Sequence, residues 1–309
     1  MWSINPMKFG PVYNNIMTQN KLPTLTAATL SSDAAAMLAN QHYENFPTAS
    51  YFLPRRLRKV VTLIYAFART ADDIADEGDM PDDTRLALLE QFNVYLRQLQ
   101  ASTPVSQPFF KSLGAAITEH QLSYAPFFNL ITAFKQDVQV KRYSTFKAVL
   151  RYCHYSANPI GTLLLELTRQ ATPRNLRYSH ALCTSLQLIN FLQDIQSDYC
   201  DRDRIYLPQR DLHAYQVPEQ ALQTGAQREN LEKLLDFQHQ RAAQLLQKSM
   251  PLCHALSGGL KWQVSFTIQA GLTVLKKLQK RTNPLFCPRL AWYDWLIICS
   301  KASYVSLKG

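Results

Sequence analysis

Five side chains at regular spacing carry the strongest chemical signal in the chain. In Thr70-Ala71-Asp72-Asp73-Ile74-Ala75-Asp76-Glu77, Asp72 and Asp76 stand four residues apart. That spacing puts both carboxylates on one helix face, about 6 Å apart along the axis. Like charges so placed repel unless a cation neutralises them. Alone, the pair also reads as a solvated acidic face. A second segment, Gln187-Leu188-Ile189-Asn190-Phe191-Leu192-Gln193-Asp194-Ile195-Gln196-Ser197-Asp198, repeats the logic: Asn190, Asp194 and Asp198 fall at i, i+4 and i+8, separated by apolar residues. Two acidic stripes on otherwise apolar helices are costly to bring together without a divalent metal. Mg2+ suits them, because it takes hard oxygen ligands from a few carboxylates and from substrate phosphate while keeping some waters.

The elements that must hold these stripes are helices. Apolar residues recur at three- and four-residue spacing, only 9 glycines occur among 309 residues, and there is no P-loop or GxGxxG run. The chain is therefore expected to be all-α. Short breaks are expected at Pro47, Pro54, Pro81, Pro104, Pro126, Pro159, Pro173, Pro208 and Pro218. Gly78-Asp79-Met80-Pro81-Asp82-Asp83 should end one helix and start the next, with Asp83 or Thr84 as its cap. The polar run Gln223-Thr224-Gly225-Ala226-Gln227-Arg228 is the best candidate for a mobile loop. Residues 1–35 read as a variable leader and 36–309 as one helical domain.

Composition narrows the class further. With 47% hydrophobic and 18% charged residues the chain is of ordinary globular type. A net charge of +10 fits nucleic acid, an anionic membrane surface or an anionic small substrate. Nucleic acid is disfavoured because no basic patch with a recognisable motif is present. The clusters Pro54-Arg55-Arg56-Leu57-Arg58-Lys59 and Lys276-Lys277-Leu278-Gln279-Lys280-Arg281 suit acidic lipid head groups or solvated helix ends, and the sequence leaves both open. The six cysteines never form CxxC and lack metal-ligand spacing, so reduced thiols in a cytoplasmic protein are expected. No run approaches the ~20 apolar residues needed to cross a bilayer.

Paired DDxxD and NxxxDxxxD stripes resemble the isoprenoid synthase arrangement, and the finer sequence resembles the squalene and phytoene synthase family. The matching runs are His42-Tyr43-Glu44-Asn45-Phe46-Pro47, Leu53-Pro54, the Tyr65/Arg69 approach to the first acidic motif, Tyr152-Cys153-His154-Tyr155-Ser156-Ala157 and Arg204-Ile205-Tyr206-Leu207-Pro208. Glu44-Asn45-Phe46-Pro47, Asn158-Pro159-Ile160-Gly161, Ala133-Phe134-Lys135-Gln136-Asp137-Val138 and Lys141-Arg142-Tyr143 are similar to the bacterial hydroxysqualene synthase branch, which serves hopanoid synthesis.

The resemblance implies an all-α isoprenoid synthase bundle around a central cavity. It implies that Asp72, Asp76, Asn190, Asp194 and Asp198 hold Mg2+ against the diphosphate of a prenyl substrate, presqualene or farnesyl diphosphate. Arg69, Arg204 and His42 would neutralise further oxygens, a task suited to the planar guanidinium fork. A salt bridge to a motif carboxylate is the alternative for each arginine. Gln187, one turn before Asn190, would touch substrate or support a ligand. Phe46, Tyr65, Tyr152 and Tyr155 would wall a dry pocket and stabilise a carbocation, a tyrosine also placing a proton or a water; ordinary core is the alternative.

Water capture of the rearranged cation would make the enzyme a carbon–oxygen lyase that releases hydroxysqualene. Two rivals stand beside this reading. One is a condensing synthase joining two farnesyl or geranylgeranyl diphosphates, which the acidic motifs cannot separate from it. The other is a non-catalytic helical protein docking to a membrane or to pathway enzymes through its basic helices and Trp292, Tyr293 and Trp295. For an enzyme making a C30 lipid, contact with the inner membrane periphery is expected through basic residues.

Overall fold

A computed structural model of the chain describes residues 52–307. The described residues form fourteen helices and no strand; a single parallel bridge joins Arg142 and Ile205. The all-α expectation therefore holds. In order the helices are α1 (Arg55–Asp76), α2 (Asp82–Gln100), α3 (Pro108–His120), α4 (Ala125–Gln139), α5 (Phe146–Ser156), α6 (Asn158–Leu167), α7 (Pro173–Gln193), α8 (Ile195–Arg202), α9 (Gln209–Ala214), α10 (Ala221–Thr224), α11 (Arg228–Ser249), α12 (Leu252–Ala255), α13 (Gly258–Gln279) and α14 (Trp292–Leu307).

Proline sets most of the helix starts. Pro54 and Pro81 occupy the positions just before α1 and α2, and Pro126, Pro159 and Pro173 sit within the first two residues of α4, α6 and α7. A ring that fixes φ and lacks an N–H is harmless there, because the first helical N–H groups have no acceptor in the helix. Pro47 and residues 1–35 lie outside the described residues. The expected cap at Asp83 or Thr84 is displaced: Pro81 takes the cap position, and Asp82 and Asp83 lie inside the first turn of α2, where their charge complements the helix dipole. Residues 225–227 form the connection into α11, with Gly225 and Gln227 both in left-handed backbone (φ 73° and 51°).

Two packing systems position the acidic stripes. In α1 the apolar residues Val60, Ile64, Phe67, Ala71 and Ile74 line the buried face. Fully buried Phe67 meets Phe92 of α2, Phe110 of α3 and Phe127 of α4, the last two edge-on, with centroids 5.2–6.2 Å apart. Removing such a ring costs about 3–5 kcal/mol, so this cluster fixes the helix that carries Asp72 and Asp76. The second helix, α7, packs most extensively on α11, where Ser185 Oγ donates to the Ala242 carbonyl at 2.8 Å. On its other side Gly161 of α6 lies so close that a Cβ there would fall 2.3 Å from Ser179 Oγ. Thr184 Oγ1 also donates to Asn158 Oδ1 at 3.0 Å.

Candidate functional site

The second stripe departs from one continuous helix. Chain direction changes at Asp194 (φ −105°, ψ 14°), which ends α7 and precedes α8. The i to i+4 ladder nevertheless passes through the bend: Asp194 N–H donates to the Asn190 carbonyl at 2.9 Å, and Asp198 N–H donates to the Asp194 carbonyl at 2.8 Å. The three side chains thus keep their spacing while the bend alters the aim of Asp198.

After α8 the chain reverses. Asp203 adopts left-handed backbone (φ 49°), and Arg204 N–H donates to the Asp198 carbonyl at 2.9 Å. Ile205 N–H then donates to the Lys141 carbonyl (2.9 Å) and Gln209 N–H to the Tyr143 carbonyl (2.8 Å), pinning this strap to the segment that follows α4. The result places Arg204 beside the first motif. Its Nη1 lies 2.7 Å from Asp76 Oδ1, with the arginine side chain only 5% exposed. Arg202 reaches both stripes at once, its Nε 3.4 Å from Asp76 Oδ2 and its Nη1 3.7 Å from Asp198 Oδ1. Asp76 of α1 and Asp198 of α8 therefore face one cleft, with a guanidinium standing where a cation is called for.

Arg69 neutralises the rest of the first motif: it pairs with Asp72 (3.2 Å), Asp73 (2.6 Å) and Glu77 (2.8 Å). Burial opposes its charge, but those carboxylates outweigh burial and raise its pKa. The same balance raises Arg204, where Tyr206, Asp137 and Asp76 overcome burial. Asp198 is pushed up to about 7, first by burial and then by the neighbouring charge of Asp194. Glu77 is raised by burial and by Asp73. The salt-bridge alternative thus describes both Arg69 and Arg204 as the protein stands.

All five motif side chains offer oxygen, the donor chemistry of a hard divalent cation. Among the described residues no three His, Cys, Asp or Glu side chains already converge on one point. Arginines hold Asp72, Asp76 and Asp198 instead, and a cation arriving with an anionic ligand can displace those contacts. The six cysteines are all unpaired, three of them buried.

Beneath the arginines lies an aromatic floor. Asp137 of α4 is fully buried and receives hydrogen bonds from two phenols, Tyr152 at 2.8 Å and Tyr206 at 2.9 Å. Burial pushes its carboxyl up to about 8, although Arg204 pulls the other way. Tyr143 packs on both phenol rings, and Phe191, next to Asn190 on α7, stacks on Tyr206 with centroids 3.9 Å apart. Tyr152 therefore presents a ring whose hydroxyl is committed to Asp137. Tyr65 stands half-buried one turn before Arg69, and Gln187 is buried on α7. Tyr155 packs against His154 and is not among the rings around Asp137. His42 and Phe46 lie outside the described residues.

Four contributors went unassigned in the sequence. Arg202 follows Asp198 by four residues, a spacing that could have flagged it. Asp137 and Tyr206 lie in runs noted for resemblance, but nothing local marks their partnership. Buried Arg85 of α2 donates to the carbonyls of Ile74, Glu77, Gly78 and Met80, closing the turn after the first motif. Only the folded chain brings those carbonyls to it.

A family model for squalene/phytoene synthase matches residues 39–295, a span that includes both stripes, the strap and the aromatic floor. The chain belongs to the squalene/phytoene synthase family. Within that family it is similar to the hydroxysqualene synthase of Rhodopseudomonas palustris, 35% identical over 245 residues that cover 78% of this chain and 81% of that protein. It is also similar to that of Zymomonas mobilis, 36% identical over 197 residues. That second match spans 62% of the relative's length, under two thirds, and 63% of this chain. The squalene synthase HpnC from Alicyclobacillus acidocaldarius superposes with a TM-score of 0.74 at 30% identity, over 81% of this chain and 93% of that one. A dehydrosqualene synthase solved with a ligand shares the family fold at TM-score 0.77 and 23% identity, covering 89% and 97% of the two chains.

Proposed function

We propose that the chain ionises presqualene diphosphate in a Mg2+-dependent reaction and captures the rearranged cation with water, releasing hydroxysqualene and diphosphate. The single observation that carries the site assignment is Arg202 spanning Asp76 and Asp198, since one cationic group already bridges the two acidic stripes. Similarity to hydroxysqualene synthases supports the choice of reaction. The reading treats residues 36–309 as one catalytic domain.

Mg2+ held by Asp72, Asp76, Asn190, Asp194 and Asp198 would supply positive charge to the departing diphosphate. In the ionisation step the carbon–oxygen bond breaks and its electron pair leaves with diphosphate. Arg69, Arg202 and Arg204, relieved of their carboxylates, can each donate two parallel hydrogen bonds to phosphate oxygens. The tyrosine and phenylalanine rings beneath supply the π-systems that would attract a cation. By accepting the hydroxyl hydrogens of Tyr152 and Tyr206, Asp137 fixes the orientation of both rings. Water then forms the new carbon–oxygen bond, and its surplus proton passes to diphosphate or solvent.

Purified protein with Mg2+ and no reductant, given presqualene diphosphate or farnesyl diphosphate in separate reactions, tests the reading by mass spectrometry of the products. Hydroxysqualene from presqualene diphosphate, lost in Asp76→Asn and Asp194→Asn, is the expected result. Inertness toward presqualene diphosphate, with farnesyl diphosphate converted to presqualene diphosphate, assigns the condensing step instead.

A further inference from the structure

Helix α14 has an outer face of the wrong chemistry for water. Its inner side is ordinary: Asp294, Ile298, Ala302 and Ser306, four residues apart, are buried, and the helix packs on α13. A surface helix normally turns polar residues outward. Here the outward positions include Trp292 (73% exposed), Tyr293, Leu296 (63%), Ile297 and Leu307 (77%), and Phe286 in the preceding loop is exposed as well. Scattered single apolar residues are normal on a surface, but a contiguous set along one helix marks a contact.

The charge around this face identifies the contact. Between residues 276 and 307 the sequence holds six basic residues and one acidic residue, Asp294. Asp294 is buried and paired with Lys277 at 2.6 Å, so the exposed charge is positive throughout, carried by Lys276, Lys280, Arg289 and Lys301. We propose that the outer face of α14 and its basic border seat the protein on an anionic lipid surface. Trp and Tyr favour the boundary between head groups and hydrocarbon, leucine and isoleucine gain by leaving water, and lysine and arginine meet acidic head groups.

The helix lies in the interface and does not cross it. Its 16 residues span roughly 24 Å at 1.5 Å per residue, and no described helix is long and apolar enough to cross a membrane. A second copy of this chain is the poorer occupant, because pairing two molecules through α14 would bring two positive borders together on proteins that each carry +10. The proposal rests on exposure and charge at α14 and not on the reaction assigned above. It gives the expected membrane contact an exposed apolar face beside its basic residues.

Flotation of the full-length protein with phosphatidylcholine vesicles, with and without phosphatidylglycerol, tests it. The variants are Leu296→Glu/Ile297→Glu and Lys280→Glu/Arg289→Glu, each checked for native far-UV dichroism; none of these residues belongs to the catalytic site. The protein should float with the anionic vesicles at low salt. Recovery should fall at least about tenfold with pure phosphatidylcholine, at high salt, or in either variant. Three results overturn the proposal: no flotation on anionic vesicles, equal flotation of the wild type and the Leu296/Ile297 variant, or a dimer in light scattering that this variant abolishes.

Discussion

Replacing Asp76 tests both the site and the stability of the protein, and the two effects separate by choice of substituent. Asp76→Ala removes the carboxylate 2.7 Å from Arg204, whose side chain is 5% exposed. Stripping one partner from a buried ion pair costs about 3–5 kcal/mol. The lower end applies here because the Asp76 side chain is 12% exposed and the pair is therefore not fully desolvated. The lost contact with Arg202 adds less than about 1 kcal/mol, since that side chain is 39% exposed. Asp76→Asn keeps an acceptor in place and forfeits about 1–2 kcal/mol of charge assistance. For a chain of this size each kcal/mol moves the melting temperature by about 2–4 °C. The alanine variant should therefore melt roughly 6–12 °C low and the asparagine variant about 2–8 °C low, while both lose turnover. Thermal melts followed by circular dichroism without metal measure this directly. Adding Arg204→Met to Asp76→Ala should recover about half the loss, because it removes the stranded charge. Equal melting of the two single variants, or no recovery in the double variant, would refute the reasoning.

Two further outcomes follow from buried contacts. Asp137, at about 8 in the folded protein against an ordinary 3.8, binds a proton across that interval that the unfolded chain does not. Its contribution to stability is complete below about pH 4 and is lost as pH rises through 8, with a limiting slope of about 1.4 kcal/mol per pH unit. Between pH 6 and 8 the wild type should lose about 2 kcal/mol more than Asp137→Asn in urea titrations; parallel curves would contradict the assignment. Gly161→Ala should cost about 1–3 kcal/mol, because its Cβ would fall 2.3 Å from Ser179 Oγ and 2.8 Å from Cys183 Sγ. A urea midpoint within error of the wild type would show that α6 and α7 separate more easily than their contact implies.

What the sequence made legible is what depends on short spacing. The three- and four-residue apolar rhythm announced helices, prolines announced their starts, and the acidic stripes announced themselves through repulsion that something must relieve. The bend at Asp194 escaped because the ladder of hydrogen bonds runs through it, leaving the i+4 pattern intact. The displaced cap at Pro81 shows a stiff ring taking a place that an aspartate side chain also suits. Arg85, Asp137 and Tyr206 were opaque for a different reason. Their partners are carbonyls and phenols brought close by the fold, and a lone arginine or aspartate in a sequence carries no mark of who will meet it. Tyr152 was marked as a site residue, yet its bond to Asp137 joins two helices and was equally invisible.

The arginines among the acidic stripes have a consequence for how the protein is made. Domains whose cysteines or carboxylates stay unneutralised until an ion arrives wait for that ion to fold. Here Arg69, Arg202 and Arg204 come from the same chain as Asp72, Asp76 and Asp198, so internal counter-charge is present as soon as the helices meet. Under the proposed reaction, the newly made chain can complete its tertiary structure under magnesium starvation, and the ion would be a requirement of turnover alone.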